Sequence, residues 1–118
     1  MVSQNQAMNR TQQLLFAARA VPVAERSVRV EVEGELDLAT VPQLDEVLQQ
    51  ELGAGNDVIL DLSKVTFMDS SGLHAIITVL RSSDSNRPRV RVGGTLLPQI
   101  RRLVEITGVQ EVLSNNTD

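Results

Sequence analysis

Val28, Val30 and Val32 alternate with Arg29, Glu31 and Glu33, and a dozen residues later the apolar spacing changes to that of a helix. The first pattern has the two-residue period of a half-buried strand. The second runs through Leu44, Val47, Leu48 and Leu52, which fall on one helical face. Thr40 and Gln43 have the spacing of a capping box, Pro42 is tolerable in the first turn, and Gly53 is placed to end the helix in a left-handed conformation.

The same change of period then recurs. Val58-Ile59-Leu60-Asp61-Leu62 reads as a short strand covered on both faces. A helix follows from the turn Met68-Asp69-Ser70-Ser71-Gly72. Its stripe Leu73, Ile76, Ile77 and Leu80 points inward, with Ser71, His74, Thr78 and Arg81 on the opposite side. Val90 to Val92 is another strand, short and alternating, broken by Gly93-Gly94. Thr95 can cap a last helix carrying Leu96, Ile100, Leu103 and Val104, stopped near Gly108. Residues 14–22, closed by Pro22, are read as a first strand that pairs antiparallel with the second through a turn near Ala24-Glu25-Arg26.

The order strand, strand, helix, strand, helix, strand, helix predicts an α/β domain. It would have a mixed, mostly parallel sheet of four to five strands with helices packed against it. A chain of 118 residues fits one such domain. Residues 1–13, polar and rich in Gln and Asn, are expected to be a disordered lead-in. The domain then spans 14–113, with Val112 and Leu113 over an edge of the core, and 114–118 form a frayed tail.

Composition narrows the function. With no cysteine, disulfide frameworks and thiolate metal sites are excluded. A net charge of -4 argues against a phosphate-backbone partner, and only Phe16 and Phe67 could stack on bases. Arg87, Arg89, Arg91, Arg101 and Arg102 are read as the solvent side of a strand and a helix. Met1 to Arg10 lacks a signal-peptide core, and no apolar run approaches the length of a membrane span, so a soluble cytoplasmic chain is expected.

Enzymatic chemistry finds little support. Ser71 and His74 lie three apart on one helix, but a third group to orient the histidine is missing and the Gly-x-Ser-x-Gly elbow is absent. Asp37, Asp61 and Asp69 near strand ends match no calcium-loop spacing. Gly93-Gly94-Thr95 lacks the glycine spacing and lysine of a nucleotide loop. The expectation is a non-enzymatic domain with no cofactor and no metal.

By itself Asp69-Ser70-Ser71-Gly72 is a helix cap. Together with Gly34-Glu35-Leu36-Asp37 and Asp57-Val58-Ile59-Leu60-Asp61-Leu62-Ser63 it resembles the STAS domain, the sulfate transporter and anti-sigma factor antagonist family. The resemblance runs from about Leu14 to Leu113, and Thr107-Gly108-Val109 resembles the end of the family's last long helix. Standing alone, the chain is similar to the bacterial anti-sigma factor antagonists.

That resemblance implies partner switching. The unmodified protein would bind an anti-sigma factor that is also a serine kinase, releasing a sigma factor. Phosphorylation of Ser71 would block binding, and a serine phosphatase would reset it. ATP would belong to the kinase. The implied docking surface holds Asp37, Asp69, Ser70, Ser71, Gly72, His74 and Thr78. The free chain would be a monomer or weak dimer, with no direct contact to nucleic acid or membrane. His74 departs from the family pattern, in which a small residue is common at that position. Two other readings stay open: a non-phosphorylated scaffold or subunit of a signalling or transport complex, and a small-molecule sensor.

Overall fold

The computed structural model describes residues 16–82 and 90–107. The expectations for residues 1–15, Arg87, Arg89 and 108–118 lie outside them. Four strands form one sheet in the order β1-β2-β3-β4: β1 Phe16–Ala24, β2 Ser27–Leu36, β3 Asp57–Met68 and β4 Val90–Gly93. Helices α1 (Val41–Gly53), α2 (Ser70–Ser82) and α3 (Pro98–Thr107) occupy the intervening and final positions. β1 pairs antiparallel with β2, whereas β2–β3 and β3–β4 are parallel. The hairpin turns through Arg26, whose φ of 59° lies in the left-handed region.

Period-two patterning produces a one-sided sheet. Val28, Val30, Val32, Val58, Leu60 and Leu62 are buried together with Leu44 and Leu48 of α1, Ile76 and Leu80 of α2, and Ile100 and Val104 of α3. All three helices therefore share one core with one face of the sheet. The opposite face carries Arg19, which bonds Glu31 at 2.9 Å, and Arg29, which lies 3.6 Å from Asp61. The Arg19–Glu31 pair is exposed and adds little to stability.

Four local expectations are corrected. β3 is twelve residues long, extending to Met68, and its burial alternates instead of being complete on both faces. It is lengthened by two irregularities against β2, between Glu31 and Glu33 and between Gly34 and Glu35, each adding one residue on the β3 side. Thr40 does hold the N-cap position of α1, but its hydroxyl makes no capping bond. It donates instead to the Glu35 carbonyl (2.8 Å) and accepts from the Asp37 amide (2.9 Å). Gly53 is still helical, and the left-handed residue is Gly55 (φ 87°), after Ala54 has capped the helix. The last helix begins at Pro98, where the Leu97 carbonyl accepts from Ile100 and Arg101; Thr95 lies outside it.

Asp61 is tied down at the first β3 irregularity, where its Oδ1 accepts from the Ser63 amide at 3.0 Å. Burial pushes its carboxyl upward, but hydrogen bonds from Ser63 and the nearby Arg29 guanidinium outweigh it and hold the pKa below the usual 3.8. A carboxyl whose folded pKa is depressed contributes stability above its unfolded pKa and loses it as pH falls through the folded value. Asp61→Asn should therefore be destabilising relative to wild type at about pH 6, with the difference shrinking at about pH 3. Urea melts of both proteins at the two pH values check this; a gap that widens on acidification would contradict it.

Candidate functional site

The site grows from the carboxyl ends of the two interior strands. β2 ends at Leu36, opposite Met68 of β3, and both chains turn there toward the helices. After β2, Asp37 builds a locked turn. Its Oδ1 accepts from the Ala39 amide (3.0 Å) and the Thr40 amide (3.1 Å), and its carbonyl accepts from Val41 (2.9 Å). After β3, Asp69 caps α2: its Oδ1 accepts from the Gly72 amide at 3.0 Å, and its carbonyl accepts the first helical bond, from Leu73.

The two turns are stitched together. The Asp69 amide donates to the Leu36 carbonyl at 3.3 Å. Gly72 is buried directly above the same residue. A Cβ there would lie 2.5 Å from the Leu36 carbonyl oxygen and 2.9 Å from Leu36 Cγ. Glycine is required because the start of α2 rests on the end of β2 with no room for a side chain.

Capping by Asp69 makes Ser70 and Ser71 the first two residues of α2. Their amides precede the first i→i−4 bond and are left for solvent or an anion. Ser70 is exposed and Ser71 half-buried. Both open onto a groove of about 770 Å³ between α1 and α2. Ser70, Ser71, His74, Ala75, Thr78 and Val79 form its α2 wall; Leu38, Val41, Asp45 and Gln49 form the other.

Of the residues singled out in the sequence, the groove thus gathers Ser70, Ser71, His74 and Thr78. Asp37, Asp69 and Gly72 are not among its lining residues: the two carboxylates hold turns, and the glycine is buried. Asp61 lies apart, near Arg29 and Ser63. Among the described residues no cluster of three or more His, Cys, Asp or Glu side chains is arranged to hold a metal. The α1 wall escaped the sequence reading. Its only trace there is that Asp45 and Gln49, one turn apart, lie off the Leu44–Leu48 stripe, and that Leu38 is an apolar residue belonging to neither helix.

The interior strands of this mixed sheet thus end in interlocked Gly34-Glu35-Leu36-Asp37 and Asp69-Ser70-Ser71-Gly72 turns. The chain belongs to the STAS domain family, whose model matches residues 18–117. It is 36% identical over 93 residues to the anti-sigma-B factor antagonist of Staphylococcus aureus (strain NCTC 8325 / PS 47), covering 78% of this chain and 85% of that one. It is 38% identical over 88 residues to the anti-sigma-B factor antagonist of Staphylococcus epidermidis, covering 74% and 81%. Among solved structures it superposes on the anti-sigma factor antagonist SpoIIAA in its unphosphorylated form with a TM-score of 0.67 at 22% identity, over 86% of each chain. The Bacillus cell fate determinant SpoIIAA in the phosphorylated form gives 0.63 at 22% identity, over 86% of this chain and 89% of the other. The latter two matches speak for the fold.

Proposed function

We propose that the chain is an anti-sigma factor antagonist whose binding state is set at Ser71. The observation that carries this reading is the position of Ser71: half-buried, second in α2, and on the lip of an open groove. Relatives more than a third identical are named anti-sigma-B factor antagonists. The unmodified form binds an anti-sigma factor and so frees a sigma factor. The partner is a serine kinase that uses its own ATP to modify Ser71, and a serine phosphatase reverses the change. This chain acts by binding and has no catalytic role. Among the described residues no helix is long and apolar enough to cross a membrane.

Helix geometry favours this serine over a structural collapse. A phosphate adds roughly -1.5 to -2 charges. At the start of a helix that charge meets the positive end of the backbone dipole and unpaired amides. Phosphorylation should therefore leave the domain folded and act on the docking surface. Ser70, Ser71, His74 and Thr78 make the contact, while Asp37, Asp69 and Gly72 hold the frame that presents them.

Incubation with the anti-sigma factor and labelled ATP should label the wild type and leave Ser71→Ala unlabelled. Ser71→Glu should weaken binding at least tenfold by titration calorimetry while shifting the melting temperature by no more than a few degrees. Tight binding by the fully phosphorylated protein would falsify the switch. A stable partner without kinase activity would support the scaffold reading in its place.

A further inference from the structure

Leu38 is anomalous for a leucine. It is 74% exposed, although removing such a side chain from water is ordinarily favourable. It cannot retreat into the core, because it is held inside the locked turn. Five hydrogen bonds among Glu35, Asp37, Ala39 and Thr40, between 2.8 and 3.1 Å, fix the backbone on both sides of it. An apolar side chain held in water by a rigid frame is preorganised for a partner: little ordering entropy remains to be lost on contact. It also lines the groove beside Ser70 and Ser71.

Charge around the groove is sparse and one-sided. Among the described residues, Asp45 is the sole carboxylate lining the groove, and no lysine or arginine lines it. Asp45 is exposed, and none of the ion pairs among the described residues involves it. The rest of the lining is apolar or neutral, apart from the exposed His74. Such a surface is complemented by an apolar pocket with a single cation at its edge.

We infer that Leu38 is the anchor of partner docking and Asp45 its charged companion, so that the anti-sigma factor meets the α1 wall with an apolar pocket flanked by a Lys or Arg side chain. This rests on the function proposed above and adds a second wall to a surface otherwise confined to α2. It also gives the phosphate a definite mode of action. Seating Leu38 dries the groove, and the partner's cation is already engaged by Asp45. A dianion at Ser71 would then be buried without a counter-charge, which is strongly unfavourable.

The test is calorimetric titration of the whole chain with the purified anti-sigma factor. Leu38→Ala should weaken binding tenfold or more with the melting temperature essentially unchanged. Asp45→Arg should weaken it comparably, and reversing one partner Lys or Arg to Glu should restore affinity to Asp45→Arg alone. Should Leu38→Ala lose helical signal, Asp45→Arg decides, since that side chain is exposed. Wild-type affinity in both variants, with Ser71→Glu still binding at least tenfold more weakly, would overturn the docking inference and leave the switch standing. A wild-type chain that binds no anti-sigma factor would overturn both.

Discussion

Gly72→Ala should destabilise the domain by about 3 kcal/mol and lower its melting temperature by roughly 10 °C or more. Helix propensity alone argues for the opposite, because alanine is better than glycine inside a helix by about 1 kcal/mol. Local sterics decide the sign. The added methyl would stand 2.5 Å from the Leu36 carbonyl oxygen and 3.0 Å from Met68 Cγ. A flexible side chain can yield, but the carbonyl belongs to the end of β2 and also accepts the Asp69 amide. Relief requires lifting the start of α2 off the sheet, which breaks that bond and moves Ser70 and Ser71. Partner binding should fall along with stability. Thermal melts by circular dichroism check the first effect, and an alanine variant as stable as wild type would remove the interlock from the account.

Leu36→Ala should cost about 3 kcal/mol through the cavity it leaves. Leu36 is fully buried and sits where both motifs meet. Its side chain supports Gly72, and its carbonyl receives Asp69. The two substitutions should couple. With Leu36 cut to alanine, the contact 2.9 Å from the new methyl disappears, so Gly72→Ala should cost less in that background. It should still be destabilising, because the backbone contact at 2.5 Å remains. A double-mutant cycle by urea denaturation measures this, and strict additivity would mean that the two motifs do not support each other.

Much of this architecture was legible in the residues. Val28, Val30 and Val32 identify a strand because burial on one face of a sheet has period two, and β2 follows that pattern. Leu44 and Leu48, or Ile76 and Leu80, identify helices for the corresponding reason. What misled was local chemistry with more than one outlet. Thr40 has the composition of a cap, but its hydroxyl is drawn to Glu35 and Asp37, which the preceding turn brings within reach. Thr95 precedes a helix by too far to cap it, because Leu96 and Leu97 pack against the core before Pro98 starts the turn. β3 outran its apolar stretch because two irregularities let Val65 and Met68 face inward despite breaking the alternation.

The candidate site was legible on one wall only. Ser71, His74 and Thr78 share a face by helical spacing, so a sequence reading can group them. Leu38, Asp45 and Gln49 join them only because α1 lies against α2, and that adjacency is written in no local spacing. Asp69 was legible as a helix cap, whereas the turn that Asp37 locks was not legible in detail. Each satisfies nearby amides and shapes a turn.

The stitching of Leu36 to Asp69 and Gly72 bears on how a state is stored. Both turns are anchored to the interior strands, so the ground beneath Ser71 has little freedom to adopt a second shape. If Ser71 is phosphorylated as proposed, the mark would then be kept as a covalent bond and not as a rearrangement of the chain. Such a mark would persist for the lifetime of the phosphate ester, need no refolding to be erased, and could be written many times on the same molecule without wearing the fold.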